Sequence, residues 1–140
     1  MTEPTIVMRH PPIVSLLLRA EGAAVLLAAL IAYWQLGGNW WLFLLLILAP
    51  DLSAIGYFGG PAVGSAAYNA AHNYALPLLI GIGAYFAAPF LLPFVAIWFA
   101  HIGGDRMLGY GLKYPGSFGQ THLGPIGKAK SLPGTQSSTA

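Results

Sequence analysis

The sequence predicts an all-α protein, a polytopic membrane bundle of four transmembrane helices arranged as two hairpins. Of its 140 residues 56% are hydrophobic and only 7% charged, where soluble domains carry about 25% charged residues. Mean hydropathy is +0.66. Long apolar runs are separated by Gly-, Pro- and Asn-containing turns, with Trp and Tyr at their ends, where amphipathic rings favour the membrane–water interface. The absence of cysteine excludes a disulfide framework, a thiolate nucleophile and sulfur ligation of zinc or an iron–sulfur cluster. A net charge of +2 rests on six scattered Lys and Arg residues, with no basic stripe to follow phosphates, so no nucleic-acid partner is expected.

The first run, Ile13 to Trp34, follows Pro11-Pro12, a good helix start. Its length of about 22 residues spans a hydrocarbon core of about 30 Å. It is too long for a signal-peptide h-region and carries Arg19 and Glu21, so it is read as a retained membrane helix. Ala20, Ala24, Ala28 and Ala32, spaced four apart, predict a smooth stripe for close helix packing. Gly37-Gly38-Asn39 predicts a tight turn, and Trp40-Trp41 opens a second helix to about Phe58, kinked at Pro50 beside Asp51. Gly59 to Ala75 is small and polar and reads as a cytoplasmic turn into helix three, although Ser65, Asn69, His72 and Asn73 share a helical face. Helix three, bent at Pro77, runs to Ala88. Pro89 opens helix four, which ends near Asp105. This last hairpin is short for two spans, which leaves a re-entrant pair open.

Residues 13–113 thus form the membrane domain, between an N-terminal segment (1–12) and a Gly/Pro-rich tail (114–140) whose last dozen residues read as disordered. Arg9 precedes helix one, and Lys113, Lys128 and Lys130 follow helix four, whereas the two outer turns carry no Lys or Arg. Both termini are expected in the cytoplasm, with the protein in the cell inner membrane. The bilayer is the expected partner, and a homo-oligomer is compatible with the pattern.

Three of the four acidic residues, Glu21, Asp51 and Asp105, lie inside or at the ends of apolar runs, with Arg19, Arg106, His72 and His101. Ionisable groups are costly in a bilayer and there mark function or pairing. Counted inward from the outer turns, Asp51 and His101 lie about 13 residues deep, Glu21, His72 and Asp105 about 16 to 17, and Arg106 and Arg19 about 18. At 1.5 Å per residue they share a slab roughly 9 Å thick near the cytoplasmic face. His101 and Asp105 share a helical face, and His72 is level with Asp105. Arg19 and Glu21 are about 200° apart around their helix. One of them should reach Asp51, and Arg19 is the better candidate to snorkel.

Two stretches carry a family resemblance. One is Ala49-Pro50-Asp51-Leu52-Ser53-Ala54-Ile55-Gly56-Tyr57, followed by Tyr68-Asn69 and His72. The other runs from His101 through Gly103, Gly104, Asp105, Arg106 and Gly109 to Pro115, continued by Thr121-His122-Leu123-Gly124. Together they resemble an uncharacterised bacterial membrane family, domain of unknown function 4260, from about Leu16 to Gly127. The resemblance implies a small integral membrane protein and supplies no activity. It also draws Thr121 and His122 into the pattern, and a folded-back segment would bring His122 to the cytoplasmic mouth of the slab.

Several functions fit these residues. His72, His101 and Asp105 suit a divalent metal such as zinc, manganese or iron. Asp51 or Glu21 would then act as general base, and Arg106 would hold an anionic group, in metal-assisted hydrolysis or transfer on a lipid-like or phosphate-bearing substrate. Alternatives are a proton-coupled transporter or small-ligand-binding protein titrating Glu21 and Asp51, and a scaffold whose charges are structural ion pairs. A haem between His72 and His101 is disfavoured by their difference in depth. His10 and His122 lie outside the apolar runs and read as solvated, and Gly109-Tyr110-Gly111 lacks the strand that a phosphate loop needs.

Overall fold

A computed structural model describes residues 11–115 and 118–126. Arg9, His10, Lys128, Lys130 and the segment expected to be disordered lie outside the described residues. Among the described residues the protein is all-helical apart from a two-stranded ribbon. It comprises α1 (Pro12–Gln35), α2 (Trp40–Leu46), a 3-10 segment (Ala49–Gly59), α3 (Pro61–Ala71), α4 (Ala75–Ala87), a 3-10 turn (Pro89–Leu91) and α5 (Leu92–Leu108), then β1 (Gln120–Thr121) and β2 (Gly124–Pro125).

Pro12 opens α1 at its first turn, where a missing N–H costs nothing. The turn after α1 is closed by side chains. Asn39 Oδ1 accepts from Trp41 N at 2.9 Å and Leu42 N at 3.3 Å, capping α2, while Tyr33 donates its hydroxyl to Asn39 O at 2.7 Å. Tyr33, Trp40 and Phe43 pack edge to face or tilted at 5.2–5.4 Å, each pair adding about 0.5–1.5 kcal/mol beyond area burial. Tyr33 and Phe43, together with Ala29, Ala96, Ile97 and Ala100, make the core, and Trp40 is exposed.

The second apolar run does not continue as one kinked α-helix. Pro50 lacks an N–H, and its ring collides with the carbonyl four residues back, at Leu46, where α2 ends. The chain resumes as an 11-residue 3-10 helix whose first turn carries Asp51, bonded Asp51 N to Leu48 O at 3.1 Å. Such runs rarely exceed three or four residues, and a long one marks strain or function.

The expected turn over Gly59 to Ala75 is instead the helix α3, which packs antiparallel against the 3-10 segment, and the chain breaks again at His72–Tyr74. Small residues made the segment look like a loop. In fact Gly64 lies under the Tyr57 ring and Gly56 against Ala67, so smallness serves close packing. Among the described residues there are five α-helices, where the sequence reading expected four membrane helices. Two segments, Pro12–Gln35 and Trp40–Gly59, are long and apolar enough to cross a membrane, whereas α4 has only 13 residues and α5 only 17.

Helices α1 and α5 run antiparallel at close range. A Cβ added at Gly22 would lie 2.5 Å from Arg106 Cβ, and one at Gly103 would lie 2.6 Å from Leu26 N. This contact face replaces the expected alanine stripe. Ala20, Ala24, Ala28 and Ala32 are exposed, because the helices approach more closely than a methyl group allows and glycine takes the contact. Gly103→Leu should destabilise the protein by about 1–3 kcal/mol or more through overpacking. Gly83→Ala, with open space around the new methyl group, should be neutral or slightly stabilising. Thermal unfolding in detergent, followed by tryptophan fluorescence, separates the two.

Candidate metal centre

The 3-10 segment and α3 form a hairpin that leaves from Asp51 and returns at His72, and both residues meet His101 and Asp105 on α5. His72 Nε2 stands 3.2 Å from Asp51 Oδ1, 3.7 Å from Asp105 Oδ2 and 3.1 Å from His101 Nε2. His101 Nε2 is 3.5 Å from Asp51 Oδ1 and 3.6 Å from Asp105 Oδ2. One ligand-type atom from each of the four residues lies within 4.8 Å of the others. The histidine side chains are 0% and 4% exposed, Asp105 17% and Asp51 48%, so the cluster opens on the Asp51 side.

The orientation of His72 is fixed by its surroundings. Its Nδ1 lies 2.8 Å from Tyr68 O, and a carbonyl only accepts, so Nδ1 carries a proton and Nε2 is the atom turned to the cluster. Tyr68 stacks on the imidazole at 3.6 Å between centroids, and its hydroxyl is 3.5 Å from Asp105 Oδ2. The end of α3 is held by side chains. Asn73 Nδ2 donates to Asn69 O at 2.7 Å and Ala70 O at 2.9 Å, Trp98 Nε1 to Ala71 O at 2.6 Å, and Arg106 Nη2 to His72 O at 2.6 Å. The carbonyls that a helix leaves open at its C-terminus are thus occupied, and His72 cannot swing. On α5, Gly109 adopts a left-handed conformation (φ 92°) that lets Gly109 N bond Arg106 O and Tyr110 N bond Asp105 O, ending the helix one turn past Asp105.

Of the residues singled out from the sequence, His72, His101, Asp105 and Asp51 come together. Arg106 is buried beside them, but Nη1 and Nη2 donate to the carbonyls of Tyr110 and His72. Glu21 is exposed on α1 and makes no hydrogen bond or ion pair among the described residues. Arg19 donates to Leu108 O at 2.7 Å, closing α5. Neither Glu21 nor Arg19 reaches Asp51.

The segment after α5 folds back. Asn69 clamps Lys113 in both directions, Lys113 N to Oδ1 at 2.7 Å and Nδ2 to Lys113 O at 2.8 Å. Lys113 pairs with the ribbon at Thr121, and His122 Nδ1 accepts from Leu112 N at 2.8 Å, which places His122 on this backbone outside the four-residue cluster. The buried Lys113 ammonium lies 4.0 Å from the Phe118 ring centroid and 4.8 Å from that of Tyr68. Burial pulls its pKa below the usual lysine value, opposed by the charges of Asp105 and Asp51. Tyr68 and Asn69 escaped the sequence reading as site residues, whereas Lys113 was readable there as a basic residue able to meet a lipid headgroup. The spacing of four between Tyr68 and His72 was the available signal for the stack.

The fold and cluster define a helical protein with two candidate membrane spans and a His2Asp2 group capable of holding a metal ion. The chain belongs to the family described as Domain of unknown function (DUF4260), which matches residues 15–126. No curated protein and no solved structure matches it.

Because Arg106 bonds carbonyls and makes no ion pair with Asp105 among the described residues, Arg106→Ala should cost about 2–4 kcal/mol. Adding Asp105→Ala should restore less than about 0.5 kcal/mol. A double-mutant cycle on denaturant unfolding reads both values, and a substantial rescue would mean that the two charges support one another.

Proposed function

We propose that this is an integral membrane metalloprotein whose His72, His101, Asp51 and Asp105 hold a divalent ion of the zinc class. The single observation that carries the reading is the 3.1 Å approach of two buried imidazole Nε2 atoms with a carboxylate oxygen within 3.7 Å of each. Protons on both nitrogens would collide. A proton on His101 alone can be donated to His72 Nε2 at 3.1 Å, with carboxylate oxygens still beside that nitrogen at 3.2 and 3.7 Å. A cation at the centre satisfies every lone pair at once. A tetrahedral ion with bonds of about 2.0–2.1 Å needs six ligand–ligand edges of about 3.3–3.4 Å; five of the separations, 3.1, 3.2, 3.5, 3.6 and 3.7 Å, bracket that value, and the sixth, between the two carboxylates, lies within 4.8 Å. The Tyr68 carbonyl on His72 Nδ1–H is the outer-shell partner that metal-ligating histidines usually have.

The same arrangement supports metal-assisted hydrolysis or transfer on a lipid-like or phosphate-bearing substrate. A bound ion supplies Lewis-acid polarisation of a phosphoryl or carbonyl oxygen. Asp51, half exposed, stands on the open side, and a tetrahedral ion held by all four residues would open to a nucleophile only where Asp51 gives up its place, which would free its carboxylate to hold the nucleophile's proton. His72 and His101 are closed off from solvent and keep their orientation. Lys113, caged by Tyr68 and Phe118, supplies a cation for an anionic headgroup, since the Arg106 terminal nitrogens are engaged with backbone.

The membrane setting rests on outward apolar faces. Leu27, Ile31, Leu45, Leu52, Phe58, Leu79 and Phe86 are all exposed, more apolar surface than water-soluble monomers present. On this reading α1 and the α2–3-10 segment cross the bilayer, α4 and α5 form a shorter hairpin from the same side, and the cluster faces the cytoplasm with both termini.

Elemental analysis of detergent-purified protein beside the His72→Ala/His101→Ala double variant tests the metal. Near-stoichiometric metal in the parent and none in the variant is the expected result. Equal content in both, or a metal-free parent that gains no thermal stability from added zinc, would sink the proposal.

A further inference from the structure

A cavity of about 420 Å³, open on one side and almost wholly apolar, has Ala49, Pro50, Ser53, Ala71, Ile97 and Trp98 among its lining residues, none of them a member of the cluster. Its walls are the sequence neighbours of the cluster itself. Pro50 precedes Asp51, Ala71 precedes His72, and Ile97 lies one helical turn before His101. The volume falls within the range of about 300–1,000 Å³ typical of small-molecule pockets. The Trp98 wall is fixed, because its indole N–H is bonded to Ala71 O at 2.6 Å.

A ligand that is hydrocarbon over most of its length would match this lining. A charged group cannot enter the apolar interior without its own partner, so the polar end must stay with the cluster.

We propose that this cavity is the chain-binding subsite of the metal centre, taking the single alkyl or acyl chain of an amphiphile whose oxyanion or carbonyl oxygen meets the ion. The inference rests on the metal reading above and narrows its substrate class. Bare phosphate and soluble phosphomonoesters would occupy only the headgroup end, whereas a longer chain adds contacts along Ala49, Ile97 and Trp98. Chain length thereby becomes a specificity determinant.

The test uses the purified protein loaded with cobalt(II), whose visible absorption reports ligands arriving at the ion. Inorganic phosphate, butyl phosphate and octyl phosphate are titrated into the parent and into two cavity-filling variants, Ala49→Phe and Ser53→Leu, which alter different walls. Cobalt uptake in each variant verifies that it folds, and partition of the probes into detergent is common to all three proteins. Inorganic phosphate should bind all three alike. The preference for octyl over butyl phosphate should be about tenfold or more greater in the parent than in the variants, as expected for burial of four methylenes reduced by partial exposure. An equal preference in parent and variants, or a cobalt spectrum that no alkyl phosphate shifts, would overturn the subsite while leaving the metal centre standing. A parent that takes up no cobalt would overturn the metal reading and the subsite with it.

Discussion

Two imidazole rings whose Nε2 atoms approach to 3.1 Å, buried between two carboxylates, form the constraint on which the rest of the structure depends. Hydrogen bonds and ion pairs link the four groups to one another, and in a water-poor interior losing any of these partners is unfavourable. The chain therefore has to hold these groups in register. The means are visible around His72, where Tyr68 stacks and accepts from Nδ1, while Asn73, Trp98 and Arg106 close the carbonyls at the end of α3. Each of these side chains acts on backbone or ring orientation and leaves the open side of the cluster free.

The height of the site along the bundle is set elsewhere. The glycine contacts of Gly22 and Gly103 fix how α5 slides along α1, and with it the level of His101 and Asp105. Pro50 ends α2 one turn early and starts the 3-10 segment that carries Asp51. A 3-10 helix rises about 2.0 Å per residue, against 1.5 Å in an α-helix, so its residues follow a different angular sequence from that of a continuous helix. A proline and two glycines far apart in the chain thus decide whether four ligand atoms coincide.

Much of this was legible in the apolar runs. The turn at Gly37–Asn39, the aromatic ends and the common level of His72 and Asp105 followed from counting residues at a known rise, which put His101 about a turn deeper. The counting did not give the rotation of each helix. Asp51 therefore looked like a separate carboxylate, because its direction depends on the change to 3-10 geometry, and Glu21 looked like a member, because depth alone cannot show that it points outward. Helix α3 was hidden by its composition, since Gly, Ser and Asn read as a loop until a close neighbour such as Tyr57 explains their size. Arg106 read as a free cation, because its bonds to His72 O and Tyr110 O are tertiary contacts with no sequence signature.

The four ligand-type residues come from two mechanical units. Asp51 and His72 sit at the two ends of one hairpin, and His101 and Asp105 sit one turn apart on α5. An ion shared among them would tie the hairpin to α5 at the level where Trp98 and Arg106 already join them. Binding of the ion and docking of the hairpin then become one equilibrium, because a ligand that binds only the docked form stabilises it by mass action. The exposure of Asp51, the residue nearest the start of the hairpin and the wall of the apolar cavity, makes it the ligand through which an entering headgroup would first be felt. A site of this construction is rigid at His72 and yielding at Asp51, the asymmetry expected where one side of a metal must stay closed and the other must exchange partners.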